Sequence, residues 1–201
     1  VLAEARVAAV LGEEARVVRR YGPGELVGQR YLRPFDLVPA TAGSEEAWRV
    51  VAENFVSAED GTGIVHLAPA FGADDYAAGQ RHGLPMFKPV DDAGKFEEGL
   101  PLVGGLFVKA ADPVLVEALE ARGLVLRHTL EAHSYPHCWR CSSPLLYMAR
   151  ASWYIRTTAM KEAMLANNRQ VDWHPPEVGS GRFGEWLEGN VDWALSRDRY
   201  W

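Results

Sequence analysis

The sequence predicts a mainly β fold with flanking helices, an α+β protein whose core is β-barrel-like. Many short apolar runs alternate with Gly- and Pro-rich turns, whereas helical patterns are few. Hydrophobic residues make up 48% of the 201 residues and aromatic residues 10%, which suffices for a buried core. No run approaches the roughly 18 apolar residues of a membrane span. The N-terminus also lacks the pattern of a signal peptide, so we expect no membrane contact.

The first half of the sequence is predicted to be a series of strands interrupted by two helices. A short helix is predicted at Ala5–Leu11 between two strands, and the second of these strands ends at Gly22-Pro23-Gly24. The strongest helical pattern of this half is Asp74–His82, where two acidic residues open the helix and Gly83 follows it. Short strands are predicted at residues 15–21, within 26–39, and at 47–52, 54–56 and 64–67.

The second half contains two further helical patterns and a change in composition. One helix is predicted at Asp112–Arg122, with a Pro near its start and a Gly after its end. Another is predicted at Thr158–Asn167. After about residue 132, clusters of His, Cys, Trp and Pro replace the strand pattern, which predicts two domains, 1–132 and 133–201. Strands are predicted at residues 86–90, 106–108 and 124–128.

Charge and cysteine content narrow the class of protein. The net charge of −6 argues against a protein that simply coats nucleic acid, because phosphate contacts need clustered Lys and Arg. It is compatible with local recognition of an RNA end. Cys138 and Cys141 are the only cysteines and cannot supply a disulfide framework, which favours the cytoplasm. The chain begins at Val1 without Met and ends on Arg199-Tyr200-Trp201 without a polar tail, so we expect both ends to lie inside a longer protein.

Residues 61–76, GTGIVHLAPAFGADDY, concentrate side chains that suit a ligand site. Gly61 and Gly63 permit a tight turn and a close approach of the backbone to a ligand. His66 ends an apolar run and Asp74-Asp75 opens the next helix, so these side chains can face one cleft. Each residue also has a simpler explanation. Carboxylates at a helix start commonly cap the helix, and a single histidine is more often a satisfied, half-buried residue than a catalyst.

This segment resembles the signature of the editing domain shared by isoleucyl-, valyl- and leucyl-tRNA synthetases. His66 and Ala70-Phe71-Gly72 are similar to the isoleucyl branch. The other branches typically have Lys or Met at the His position, and a His-Asp pair where Phe71-Gly72 stands. Residues 133–141, HSYPHCWRC, resemble the return stem, and residues 191–201, VDWALSRDRYW, resemble the re-entry into the synthetic Rossmann domain. The resemblance covers nearly the whole chain and implies the β-barrel-like editing fold.

The resemblance implies hydrolysis of valyl-tRNA(Ile) at the ester that joins valine to the terminal adenosine. A pocket that accepts isoleucine excludes valine poorly, since valine lacks only one methylene, and isoleucyl enzymes are themselves the standard case. Two catalytic positions are implied: Asp75 holds the substrate's α-ammonium, and His66 shapes the side-chain sieve or positions water. The rest of the implied substrate site comprises Gly61, Thr62, Gly63, Ala68, Pro69, Ala70 and Phe71, with Asp74 as a capping neighbour.

One feature of the family is missing from this sequence. The other half of the family's pocket is a Thr-rich strand upstream, and Thr41 and Thr62 do not reproduce it. We therefore expect the chain by itself to hydrolyse the ester weakly or not at all. The alternatives are a non-catalytic RNA-binding or structural insertion, a valyl-enzyme relative that edits threonyl-tRNA, and a zinc-ribbon binding module.

The pair Cys138-x-x-Cys141 supplies half of a tetrahedral zinc site, and two buried thiols or a redox pair are the alternatives. Some isoleucyl enzymes pair this knuckle with a second C-x-x-C before the editing domain, so the resemblance implies zinc in the full enzyme rather than in this chain. His133 and His137 are candidates to complete the site in cis, but His137 adjoins Cys138 and the geometry would be strained.

The resemblance also implies the cofactors and partners. Editing is expected to need no cofactor, because ATP and Mg belong to the synthetic domain, whose signatures are absent here. The implied partners are the 3′ end of tRNA(Ile) carrying valine and the remainder of the synthetase. We expect a cytoplasmic monomer.

Overall fold

Helices supply most of the regular structure in the computed structural model, which describes residues 1–22, 24–39, 43–130 and 132–197. The chain forms two compact units, Val1–Ala149 and Arg150–Trp201. The domain division predicted between residues 132 and 133 lies inside the first unit. Thr41 and the terminal residues Arg199, Tyr200 and Trp201 lie outside the described residues.

The prediction of a mainly β, barrel-like fold is wrong. Within the described ranges, the β-strands are β1 (Tyr154–Ile155) and β2 (Trp193–Ala194), an antiparallel pair of two residues each. The physical reason is that a strand requires a ladder of backbone hydrogen bonds to a partner, and apolar alternation alone does not supply that partner. In the described part of the first unit, extended segments pair through isolated bridges rather than continuous ladders, although residues 28–31 and 48–50 share three backbone hydrogen bonds. These isolated bridges join Arg30 to Arg49, Val90 to Phe96, Lys95 to Phe107, and His137 to Pro144.

The first helices of the chain follow local signals that the sequence displays. A 3-10 turn, Glu4–Arg6, leads into α1 (Val7–Leu11), in agreement with the helix predicted at 5–11. A second 3-10 turn lies at Ser44–Glu46. The next helix, α2 (Ala73–His82), begins one residue before its predicted start. Its two acidic residues in the first turn and two basic residues in the last turn complement the helix dipole.

The C-terminal end of α2 is closed by a glycine in the left-handed conformation. Gly83 has a φ of 60°, and the N–H of Leu84 donates to the carbonyl of Gly79 at 2.9 Å. This is the Schellman pattern, which satisfies carbonyls that lack a helical partner. The predicted end of this helix is therefore confirmed.

The longest helix, α3 (Val108–Ala121), begins four residues before the predicted start at Asp112. Pro113 was expected in the first turn but lies inside the helix, where it removes the N–H that would bond the carbonyl of Lys109. The upstream turn forms because the N–H groups of Ala110 and Ala111 both reach the carbonyl of Phe107. The proline therefore did not mark the helix start.

The second unit is built around three helices. A 3-10 turn, Thr157–Met160, continues into α4 (Lys161–Asn168), which confirms the helix predicted at 158–167. Two short helices, α5 (Glu177–Ser180) and α6 (Arg182–Glu188), form in a Pro- and Gly-rich stretch for which no helix was predicted. Asn168 ties α4 to α5, since its Nδ2 donates to the carbonyl of Gly179 at 2.7 Å.

Small side chains dominate the buried interior of the first unit. Val103 and the helical residues Ala78 and Ala111 are fully buried, and Ala70 is 2% exposed. Because Ala78 belongs to α2 and Ala70 to the preceding turn, helix and turn share one interior. No helix in the described part of the chain is both long enough and apolar enough to cross a membrane.

Candidate functional site

The turn at residues 60–63 rests against the N-terminal segment. Gly61 and Gly63 have φ values of 52° and 73°, a region that favours glycine. A Cβ at Gly63 would lie 2.4 Å from the Cβ of Ala3. The backbone N–H of Ala3 donates to the carbonyl of Thr62 at 2.8 Å, and Nε of Arg6 donates to the carbonyl of Gly61 at 3.0 Å. At Gly63 the backbone approaches Ala3 of the N-terminal segment, whereas the expected approach to a ligand stays a prediction.

His66 lies in the wall of a cavity of about 550 Å³. Gly63 and Pro69 are the other predicted site residues in this wall. The volume falls within the roughly 300–1,000 Å³ that small-molecule sites usually occupy. Apolar side chains cover part of the surface, among them Ile64 and Val65 next to His66. The cavity therefore offers both an apolar surface and a few polar groups, the combination that fixes the orientation of a small ligand.

Aromatic side chains from distant parts of the sequence complete the wall. Trp48 and Phe87 stack with ring centroids 5.4 Å apart and an interplanar angle of 11°. The guanidinium of Arg33 lies 4.7 Å from the centroid of the Trp48 ring. Trp48 has a φ of 51°, which is costly for a bulky residue and is tolerated where the surroundings fix it. Tyr31 also lines the cavity, and burial raises its pKa.

Asp75 holds the turn that separates His66 from α2. Its Oδ2 accepts a hydrogen bond from the N–H of Ala68 at 3.0 Å. The turn closes when the N–H of Phe71 donates to the carbonyl of Ala68 at 2.8 Å. Ala70, at the centre of the turn, is buried, and its carbonyl accepts from the N–H of Ala149 at 2.7 Å. Asp75 is half-buried, whereas Asp74 is exposed.

A buried carboxylate joins the cavity wall to the far end of α2. Glu53 lines the cavity, its side chain is 8% exposed, and it contacts both Arg81 and His82. Its Oε2 accepts from Nη2 of Arg81 at 2.6 Å, and its Oε1 lies 2.9 Å from Nε2 of His82. The hydrogen bond from Arg81 is the main reason why the pKa of Glu53 lies below its ordinary value. Glu53 is therefore an anion inside a largely apolar wall.

The sequence did not predict that Glu53, Trp48 and Phe87 line the cavity. Glu53 and Arg81 are separated by 28 residues, and no short-range pattern connects them. Trp48 and Phe87 were assigned to predicted strands on account of their apolar character, which gave no sign of a shared cavity. The available signal was Glu53 itself, a carboxylate inside an otherwise apolar stretch, because a buried charge requires a partner.

The cysteine pair lies on a short hairpin. The N–H of Cys138 donates to the carbonyl of Ser143, and the N–H of Ser142 donates back to Cys138, both at 2.8 Å. Cys138 is half-buried and Cys141 exposed, and the two are not joined in a disulfide. Among the described residues, no three His, Cys, Asp or Glu side chains converge on a position suited to a metal. Nδ1 of His137 is 2.8 Å from the carbonyl of Tyr135. The described residues therefore do not by themselves form a four-ligand zinc site.

Comparisons with known proteins agree with the predicted resemblance. Residues 6–201 match the family model described as tRNA synthetases class I (I, L, M and V). The chain is 50% identical over 202 residues to an isoleucine–tRNA ligase of Streptomyces coelicolor, and 51% identical over 202 residues to one of Thermobifida fusca. Each alignment covers 100% of this chain and 19% of the relative.

A third relative shows the same similarity over a shorter region. An isoleucine–tRNA ligase of Cutibacterium acnes is 55% identical over 152 residues, which is 76% of this chain and 14% of that protein. The chain thus spans about a fifth of the length of the curated relatives that match its full extent. Since the family model matches nearly every residue, the chain belongs to the class I tRNA synthetases of the isoleucine, leucine, methionine and valine group.

Proposed function

We propose that this chain is the proofreading region of an isoleucine–tRNA ligase and that it takes part in hydrolysing valyl-tRNA(Ile). The observation that carries the proposal is the position of His66 in the cavity wall, next to a turn that Asp75 holds by a hydrogen bond. The similarity to isoleucine–tRNA ligases over the whole chain supports the choice of enzyme. The signature at residues 61–76 supports the choice of reaction.

We assign the apolar part of an aminoacylated adenosine to this cavity, and we assign its ammonium group to Asp75, which is not among the lining residues. Ile64, Val65 and Leu67 provide apolar surface for a small branched side chain. In the reaction, water attacks the ester carbonyl, the bond from that carbon to the ribose oxygen breaks, and the ribose oxygen takes a proton. His66 orients the water or the side chain, and Asp75 binds the α-ammonium by a charge-assisted hydrogen bond. Both groups hold the substrate in a reactive orientation. The entropy lost on reaching that orientation is a large part of the barrier to such a reaction.

Deacylation of valyl-tRNA(Ile) tests the proposal. The assay uses the 201-residue chain and a Streptomyces coelicolor isoleucine–tRNA ligase in which this sequence replaces the matching region. We expect faster loss of valine than the uncatalysed rate in the hybrid enzyme. Asp75→Ala should reduce the rate about a hundredfold, the usual consequence of losing substrate orientation. The adjacent Asp74→Ala is the matched comparison, and its effect should be much smaller because Asp74 is exposed.

Each alternative has a distinct outcome in this assay. Intact valyl ester in the hybrid would indicate a non-catalytic insertion and would overturn the proposal. Preferential hydrolysis of threonyl-tRNA would indicate a relative of the valyl enzymes. Equal losses from Asp75→Ala and Asp74→Ala would remove Asp75 from its assigned role while leaving the enzyme class intact.

The proposal includes the partners and location of the whole protein. Its partners are the 3′ end of tRNA(Ile) and the remainder of the synthetase chain, where ATP, Mg and isoleucine are used. We place the enzyme in the cytoplasm as a monomer. Zinc at Cys138 and Cys141 requires two further ligands from the remainder of the chain. Elemental analysis of the hybrid before and after Cys141→Ser tests that part, and no change in zinc content would refute it.

A further inference from the structure

We propose that Glu53 is a positioning residue for this site: its contacts with Arg81 and His82 fix the orientation of α2 and thereby the position of Asp75. The inference rests on the proposed function, since it concerns the residue assigned to bind the α-ammonium. Glu53 itself lies outside the segment 61–76.

The side chain of Glu53 contacts both Arg81 and His82 at the end of α2, and we call this set of contacts the C-terminal clamp. Both of its carboxylate oxygens accept from Arg81, Oε1 from Nε at 3.1 Å and Oε2 from Nη2 at 2.6 Å. This two-point geometry restrains the angle between the groups as well as their distance. His82 adds a third contact at 2.9 Å. The Glu53 side chain is 8% exposed, whereas that of Arg81 is 54% exposed, so the buried partner is the fixed one.

A second residue from the same segment reinforces the clamp. Nη2 of Arg49 donates to the carbonyl of His82 at 2.7 Å, and its Nε donates to the carbonyl of Glu46 at 3.0 Å. The carbonyl of His82 belongs to the last turn of α2, where carbonyls lack helical partners and a cation is favourable. Arg49 therefore holds the backbone at the C-terminal end of α2, and Glu53 holds the side chains there.

The contact between Gly79 of α2 and Pro69 is the point about which the helix would tilt if its C-terminal end were released. Gly79 packs against Pro69 so closely that a Cβ there would lie 3.0 Å from the Cβ of Pro69. Asp75 is four residues away, about 6 Å along the helix axis. If the C-terminal clamp is released, a tilt of about 10° about this contact moves Asp75 by about 1 Å. A displacement of that size is enough to cost about a hundredfold in a reaction that depends on orientation.

The same contacts would also form if the ion pair of Glu53 only stabilised the fold. A structural role and a positioning role differ in their effect on the ratio of the Kd values for two ligands. The experiment measures the Kd of the 201-residue chain for a non-hydrolysable valyl-adenosine, with an amide in place of the ester, and for its N-acetylated form. Only the first carries an ammonium. We expect the wild-type chain to prefer it about tenfold or more, and Asp75→Ala to abolish the preference.

Glu53→Gln should reduce the preference at least fivefold while leaving the Kd for the N-acetylated ligand within about twofold. Glu53→Asp, which retains the charge on a shorter side chain, should restore part of the preference. A structural role would instead weaken both ligands equally and leave the ratio unchanged. The matched control is Glu4→Gln, which removes an exposed ion pair with Arg20 and should leave the ratio at the wild-type value.

The outcomes distinguish failure of this inference from failure of the proposed function. A wild-type chain that lacks the preference refutes the assigned role of Asp75 together with the inference, whereas deacylation by the hybrid enzyme tests the proposed function separately. A wild-type preference that is lost in Asp75→Ala but retained in Glu53→Gln refutes the positioning role alone. If Glu53→Gln does not fold by circular dichroism, Arg81→Lys is measured instead. It keeps the charge but not the two-point geometry, and an unchanged ratio in that variant also refutes the inference.

Discussion

Replacing Gly63 with alanine tests whether the turn at residues 60–63 depends on its close contact with the N-terminal segment. A Cβ at this position would lie 2.4 Å from the Cβ of Ala3. Carbon atoms pack favourably at about 3.5–4.0 Å, so the two segments must separate by about 1 Å. That separation breaks the hydrogen bond from the N–H of Ala3 to the carbonyl of Thr62, which is 2.8 Å long.

The expected cost has two parts. Alanine in the left-handed conformation at a φ of 73° costs about 1–2 kcal/mol relative to glycine. Loss of the hydrogen bond between Ala3 and Thr62 costs about 1 kcal/mol. Together, Gly63→Ala should lower the free energy of unfolding by about 2–3 kcal/mol. In urea, where a domain of this size loses a few kcal/mol per molar, the midpoint should fall by about 1 M.

Gly61→Ala is the control, because its φ is also positive, at 52°, but no atom lies within 4 Å of the added Cβ. It should show the conformational cost alone. The assay is urea unfolding followed by tryptophan fluorescence for both variants and for Gly63→Ala combined with Ala3→Gly. Removing the Ala3 methyl group should recover at least about 1 kcal/mol beyond additivity. Equal midpoints for Gly61→Ala and Gly63→Ala, or a strictly additive double variant, would refute the reasoning.

Three further predictions concern single residues. Hydrogen bonds from the hydroxyl and then the N–H of Thr158 lower the pKa of Asp192 below its ordinary value of 3.8. The resulting stabilisation is present above that value and is lost as the pH falls through the lowered pKa. Urea midpoints between pH 2 and 7 should therefore drop at acid pH more in the wild type than in Asp192→Asn. Gly179→Ala should cost about 1–3 kcal/mol and alter tryptophan emission, since its Cβ would fall 2.2 Å from Cδ1 of Trp173. Val103→Ala removes two fully buried methyl groups and should lower the free energy of unfolding by about 2 kcal/mol in the same titration.

Helices α1, α2 and α4 were predictable because their signals are local, whereas α5 and α6 were not predicted. Acidic residues at the start of Asp74–His82 and Gly83 at its end fix α2 within a few residues, and the structure places it at Ala73–His82. The strands were not predictable in the same way. The apolar segment 64–67 has the composition of a strand, yet no ladder forms there among the described residues. Whether such a segment becomes a strand depends on a partner distant in sequence, and its own pattern carries no information about that partner.

The candidate site likewise combines residues that could be predicted from the sequence with residues that could not. His66 was proposed from the sequence because it ends an apolar run before an acidic helix start, and the resemblance to the editing signature decided between the two explanations of that pattern. The opposite wall could not be predicted, since Trp48 and Phe87 meet only through the fold. Glu53 illustrates the intermediate case. Its burial would call for a cation, but several arginines were available and only the structure selects Arg81.

Holding the turn before α2 and anchoring a ligand are compatible roles for Asp75. Its Oδ2 accepts from the N–H of Ala68 at 3.0 Å, which fixes the orientation of the carboxylate before any ligand arrives. A carboxylate offers about four acceptor positions, so one backbone hydrogen bond leaves ample capacity for an ammonium. Orienting the group in advance reduces the entropy lost on binding. The observed hydrogen bond is to the turn and not to an N–H group of the helix, so the anchoring role of Asp75 stays a prediction. Asp75→Asn keeps an acceptor oxygen for Ala68 but removes the charge, so it should retain the fold and lose the preference for the ammonium.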